Sequence, residues 1–92
     1  MLKLNASTRF RRDYKLCVRR GCNMDLLQTA IDTLRIPSAL PAKNRDHNLS
    51  GSHTGERECH ITPDWLLIYR IEDNVLVLTL SRTGTHSDLF GK

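Results

Sequence analysis

Cysteine is sparse in this chain and follows no pairing pattern. Cys17, Cys22 and Cys59 form an odd set with no Cys-x-x-Cys spacing, which excludes a disulfide framework and a zinc knuckle. Free thiols in a reducing cytosol are the expected state. Long apolar runs are also lacking. The longest, residues 65–69, falls far short of the roughly 20 residues that cross a bilayer, and the start MLKLNAST has no apolar signal-peptide core. The expected location is cytoplasmic, with no membrane partner. Internal repeats and low-complexity segments are absent, so 92 residues are expected to close one domain, 1–92. A chain this short buries only ~60–65% of the surface its unfolded form exposes, which leaves little room for an enclosed cofactor pocket. Chemistry is therefore expected in an open surface groove.

What is present is basic charge, and it is unevenly placed. The formal net charge is +4, with ten Arg against four Lys. Residues 1–20 carry seven of these basic residues against one acid, Asp13, while residues 21–92 carry seven against nine acids. The planar fork of arginine suits phosphate. Charge alone does not choose among nucleic acid, an anionic membrane and an acidic protein.

The pattern along the chain reads β-α-α-β-β-β. Leu2-Lys3-Leu4-Asn5 alternates like a short strand. Ser7 or Thr8 is placed to cap a helix that Gly21 ends near residue 20, with Phe10, Tyr14, Cys17 and Val18 on its apolar face and arginines on the others. Asn23 can cap a second helix, with Asp25 in its first turn and Met24, Leu27, Ile31 and Leu34 as its stripe. Pro37 and Pro41 stop it. Residues 37–55 read as a long surface loop. A strand follows from Glu56, in which Glu56, Glu58 and His60 share one face and Arg57, Cys59 and Ile61 the other. Residues 65–72 and 75–82 are β-rich, joined at Asp73-Asn74 by a two-residue hairpin connection, and the tail from residue 83 reads as polar and flexible. The fold class is α+β, two helices on one face of a twisted antiparallel sheet.

The residues that could carry chemistry are concentrated after residue 46. All four histidines lie there, His47, His53, His60 and His86, and imidazole titrates near neutrality, so such a group supplies proton donors and acceptors. No pair has the rigid helical spacing of a zinc hydrolase, and no metal site is assigned. Cys59 precedes His60 on a strand, so the two side chains point to opposite faces and do not form a thiolate pair. Phosphodiester cleavage needs a base for a ribose 2′-hydroxyl, an acid for the leaving 5′-oxygen and cations for the charge on phosphate. Histidine, carboxylate and arginine suffice. Trp65 and Phe90 could hold unstacked bases or could equally be a packed sheet residue and a tail anchor.

Three segments, Asp46-His47-Asn48-Leu49-Ser50-Gly51, residues 57–69 (RECHITPDWLLIY) and residues 82–90 (RTGTHSDLF), closely resemble the YafQ branch of the RelE superfamily, bacterial type II toxins that cleave mRNA. The resemblance implies a RelE-like fold and metal-independent cleavage of mRNA, usually in the ribosomal A site, without a cofactor. By motif, His47, His60, Asp64 and His86 match acid–base positions, with His86 as the acid and His60 with Asp64 on the base side. Glu58 matches an acidic residue used beside them. Arg82 matches the arginine on the scissile phosphate, and Arg57, Trp65 and Phe90 match RNA-binding positions. The implied partners are a DinJ-like antitoxin with an acidic helical tail, mRNA, the ribosome, and promoter DNA through the toxin–antitoxin complex. The basic first helix is then a docking surface for ribosomal RNA or for that antitoxin. One departure stands out. The family's G-x-W-K-x-[FY]-R pattern is replaced by Gly51 to Arg57 without the lysine, and Glu56 adds a negative charge on the face of Glu58 and His60. A catalytically weakened relative, acting as a binding module, is the alternative this departure supports.

Overall fold

In the computed structural model, which describes residues 1–91, the hydroxyl of Ser7 starts the first helix by accepting the Phe10 amide at 2.9 Å. The same hydroxyl donates to the Ser81 carbonyl at 2.7 Å, tying the helix start to the sheet. Strand β1 (Lys3–Ala6) leads into α1 (Thr8–Arg19), and Asn23 caps α2 (Met24–Arg35). Between the helices Gly21, with φ +77°, takes the left-handed conformation that glycine adopts without cost. The Gly21 and Cys22 amides then close onto the Val18 and Cys17 carbonyls, each at 3.1 Å.

Strands β2 (His47–Asn48), β3 (Arg57–Thr62), β4 (Trp65–Glu72) and β5 (Val77–Gly84) complete one sheet in the order β1-β5-β4-β3-β2, and α3 (His86–Phe90) follows. The α+β architecture and the order β-α-α-β-β-β are as expected, with two additions. The long loop contributes β2 as a two-residue edge strand, and the tail folds as α3 rather than staying flexible. The sheet is mixed, because β1 pairs parallel to β5 while the other neighbours are antiparallel. The β4–β5 connection is also longer than the expected two residues. Leu76 adopts φ +55° and closes a turn onto Asp73, so β5 begins at Val77.

The core lies between the helices and one face of the sheet. Phe10 and Cys17 of α1 and Leu27, Ile31 and Leu34 of α2 pack with Cys59, Trp65, Leu67, Tyr69, Leu78 and Leu80. Burial raises the Cys59 thiol to about 12, which keeps it protonated and inert. No helix among the described residues is long and apolar enough to cross a membrane.

Candidate functional site

Register places the site. Directly paired residues share a face, so His47↔Glu58, Glu58↔Ile68 and Ile68↔Arg82 form one row across β2 to β5 on the face opposite the helices. His60↔Leu66 and Leu66↔Gly84 form the next row, and α3 begins two residues after Gly84. Leu66 and Ile68 are fully buried and floor both rows. A bulge sets Arg82 in its row. Tyr69 pairs with Leu80 but Ile68 pairs with Arg82, so Ser81 is the extra residue and Arg82 turns away from the core face that Leu78 and Leu80 occupy.

Three imidazoles stand side by side on this face. The His47 and His60 rings are 6.4 Å apart and those of His60 and His86 5.9 Å. In each, Nδ1 is turned to an oxygen acceptor: His47 donates to the Arg45 carbonyl (2.7 Å), His60 to the Pro63 carbonyl (3.2 Å) and His86 to Asp64 Oδ1 (3.0 Å). A carbonyl can only accept, so Nδ1 carries the proton in His47 and His60 and their Nε2 is left for chemistry. Both Nε2 atoms face one buried carboxylate oxygen, Glu58 Oε1, at 3.4 Å from His47 and 4.0 Å from His60. The bond to His86 holds the exposed Asp64 carboxyl below its ordinary value, so it stays ionised into acid. Asp64 thus serves His86 and not His60, with which the sequence pattern associates it. The β3–β4 turn aims its carboxylate at the start of α3 and gives His60 a backbone carbonyl instead.

The remaining candidates divide. Arg82 joins the site face, with its guanidinium fixed by Asp13 of α1 through Nε (2.7 Å) and Nη2 (3.2 Å). Phe90, on α3, is partly exposed and stands perpendicular to the His53 ring, with centroids 5.9 Å apart. Arg57 and Trp65 are not brought to this face. Arg57 bonds Asp46 and Asn48, and the Tyr69 hydroxyl donates to the same Asp46. Trp65 is 7% exposed and donates its indole N–H to Thr83 Oγ1 at 2.9 Å. Glu56 is engaged as well. Burial raises its carboxyl, but hydrogen bonds from Ser81 and from His53, 3.1 Å away, outweigh this and hold it low. Beside His60 a groove of about 390 Å³ opens between α2 and the β3–β4 turn, with Lys43 and Arg45 on its wall. Among the described residues no three His, Cys, Asp or Glu side chains are grouped to hold a metal ion.

Three contributors escaped sequence reasoning, Asp13, Arg20 and Asp88. Asp88 caps α3 through a reciprocal pair of bonds with Thr85 and accepts Arg20, the residue after α1, at 2.6 Å, which lowers its carboxyl to about 2. A Cβ at Gly84 would lie 2.9 Å from Asp88 Oδ2, so this glycine lets the cap close. A carboxyl lowered in the folded state stabilises it above the ordinary value near 3.8, and that contribution is lost as pH falls through about 2. In urea unfolding followed across pH 4 to 2, the wild-type midpoint therefore falls more steeply than that of Asp88→Asn. Parallel curves would show that the bridge carries no stability.

With the site in place, comparison with known proteins becomes informative. Residues 2–91 match the family model described as bacterial toxin of type II toxin–antitoxin system, YafQ. The chain belongs to this family. The mRNA interferase toxin YafQ of Escherichia coli K12 is 42% identical over 87 residues, 92% of this chain and 91% of the relative. The crystal structure of YafQ from E. coli BL21(DE3) superimposes with a TM-score of 0.92 at 37% identity, covering 99% of this chain and all of that one. The YafQ chain of the E. coli DinJ–YafQ complex gives 0.89 at 38% identity, with the same coverage. In this YafQ-family toxin Glu58 partners His47 and His60, and Asp64 partners His86.

Proposed function

We propose that this YafQ-family toxin is an endoribonuclease that cleaves mRNA in the ribosomal A site, without a metal ion, and so inhibits translation. The observation that carries the reading is the row of three imidazoles whose Nδ1 atoms are held by acceptors and whose Nε2 atoms remain for proton transfer. Cleavage requires one group to remove the 2′-hydroxyl proton as that oxygen attacks phosphorus, and another to protonate the departing 5′-oxygen. Asp64 holds His86 Nδ1 at 3.0 Å and leaves Nε2 to deliver the proton, which suits the acid. Glu58 Oε1 lies against Nε2 of both His47 and His60, and the base is one of these two rings, with His60 the more enclosed. Arg82 meets the charge that builds on the phosphate oxygens. Phe90 lies at the rim for a flanking base, while Arg57 and Trp65 act from beneath, holding the β2–β3 edge and the β4–β5 pairing.

The partners follow from the same reading. A DinJ-type antitoxin neutralises the toxin, and the complex contacts promoter DNA through the antitoxin. The arginines of α1 are exposed and available to ribosomal RNA or to an acidic antitoxin segment. The weakened-relative reading rests on Glu56, whose carboxylate is hydrogen-bonded to His53 rather than directed at the three imidazoles. The test is direct. Purified toxin added to a translating extract cuts a reporter mRNA at codon-related positions, leaves the same RNA intact without ribosomes, and is silenced by an equimolar DinJ-type antitoxin. An mRNA left whole in the translating extract overturns the proposal in favour of the binding module.

A further inference from the structure

Asp13 is the one acid in the first twenty residues, and it is committed to the site from the far end of the sequence. Its Oδ2 accepts both Arg82 Nε, at 2.7 Å, and the Thr83 amide, at 3.1 Å, while its Oδ1 accepts Arg82 Nη2 at 3.2 Å. The Thr83 amide is available because β1 stops pairing with β5 at Leu80. That bond matters for the geometry. It pins the carboxylate to the backbone of the strand that carries Arg82, so the carboxylate cannot travel with the arginine side chain.

A guanidinium has five N–H groups in a rigid fork. Asp13 takes Nε–H and one Nη2–H, which leaves three N–H groups on the opposite side, enough for a bidentate contact to phosphate. Without this hold the arginine has a long stem with much rotamer freedom and a rival anion close by, because Asp88, the cap of α3, acts electrostatically on Arg82. An arginine drawn to Asp88 would leave the phosphate and disturb the helix that carries His86.

We propose that Asp13 is a positioning residue that presents Arg82 to the scissile phosphate by holding one edge of its guanidinium and leaving the other free. The proposal rests on the RNA-cleavage reading above. It differs from a simple tether between α1 and β5 in a measurable way, since a tether acts on stability whether or not Arg82 is present. The experiment is a double-mutant cycle in the ribosome-dependent cleavage assay with wild type, Asp13→Asn, Arg82→Ala and the double variant. Asparagine keeps an oxygen for the Thr83 amide. Asp13→Asn is expected to lower kcat about tenfold with KM within about twofold, part of the ~10²–10³-fold that one preorganised oxyanion contact is worth. In the Arg82→Ala background the same change should cost less than about twofold, because residues that act through one another are not additive. An unchanged kcat in Asp13→Asn, or equal losses in both backgrounds, overturns the proposal. A second arm is independent of RNA. The Arg82 Nε–H cross-peak in a ¹H–¹⁵N spectrum should be sharp and shifted downfield in wild type and move upfield and broaden in Asp13→Asn, whose oxygen is uncharged and whose NH2 faces Nη2, with the backbone amides of the core unmoved. A cross-peak unaffected by the substitution overturns the positioning role by itself. If wild type cuts no RNA while this peak behaves as expected, the catalytic reading fails and the purpose assigned to Asp13 fails with it, though the hold on Arg82 stands.

Discussion

Replacing His86 by alanine lowers cleavage by about 10²–10⁴-fold, the usual worth of a general acid or base, and leaves the fold intact. Both halves follow from where the residue sits. His86 opens α3 with its side chain about half exposed, and among the described residues its side chain bonds to the exposed Asp64. The reciprocal Thr85–Asp88 cap that holds the helix does not involve the imidazole. Removing the ring therefore costs stability within the roughly 0.5 kcal/mol typical of surface substitutions, and any loss of activity is a loss of chemistry. Asp64→Asn should cost less, about tenfold, since it weakens the bond that orients the imidazole while leaving the ring in place. Quantitative primer extension on mRNA from a translating extract measures both. A His86→Ala protein that retains more than about a tenth of wild-type cleavage would remove His86 from the acid role.

The second large effect is on stability. Trp65→Ala should destabilise the domain by about 3–5 kcal/mol, the range for emptying a buried aromatic site, and therefore lower Tm by roughly 12 °C or more in a domain of this size. Against a total stability of about 5–15 kcal/mol this change takes much of what holds the molecule together. The indole is 7% exposed, packs with Leu67 and Tyr69 in the core and donates to Thr83, whose own hydroxyl donates to the Leu66 carbonyl at 2.7 Å. Trp65→Phe fills most of the volume but leaves Thr83 without its donor, and should cost about 1–3 kcal/mol. Thermal melts in the absence of RNA decide the matter. An alanine variant that melts within 2–3 °C of wild type, judged against the ~4–8 °C per kcal/mol of a domain this size, would mean that the ring faces solvent and is free for a nucleobase.

Trp65 also illustrates what a motif can and cannot say. Its place beside Asp64 in the Pro-Asp-Trp segment is legible as a match to an RNA-binding position, yet parity along β4 carries it to the face of Leu67 and Tyr69. Arg57 follows the same rule, and the alternation already placed it with Cys59 rather than with Glu58 and His60. Arg82 is the opposite case. Alternation alone assigns it to the face of Leu78 and Leu80, and only the extra residue Ser81 turns it toward the histidines. The carboxylate partners were equally illegible. The sequence pattern associates Asp64 with His60, four residues away, but the bond forms to His86, twenty-two residues away, because α3 starts beside the β3–β4 turn.

Local interactions were readable throughout. Ser7 and Asn23 cap the helices as their hydrogen-bonding side chains dictate, Gly21 ends α1, Pro37 lies just beyond α2, and the two-residue period of β3 separates His60 from Cys59. These depend on residues a few positions apart, whose geometry the backbone imposes wherever the segment lies. What only the tertiary structure decided is long-range: the β5 bulge, the parallel pairing of β1, the assignment of Glu58 to two histidines and Asp64 to a third, and the hold of Asp13 on Arg82 across sixty-nine residues. Such contacts leave no periodicity in the chain. They are set by strand register and by how α1 and α3 dock on β5, and register is chosen by the packing of the whole sheet on the helices.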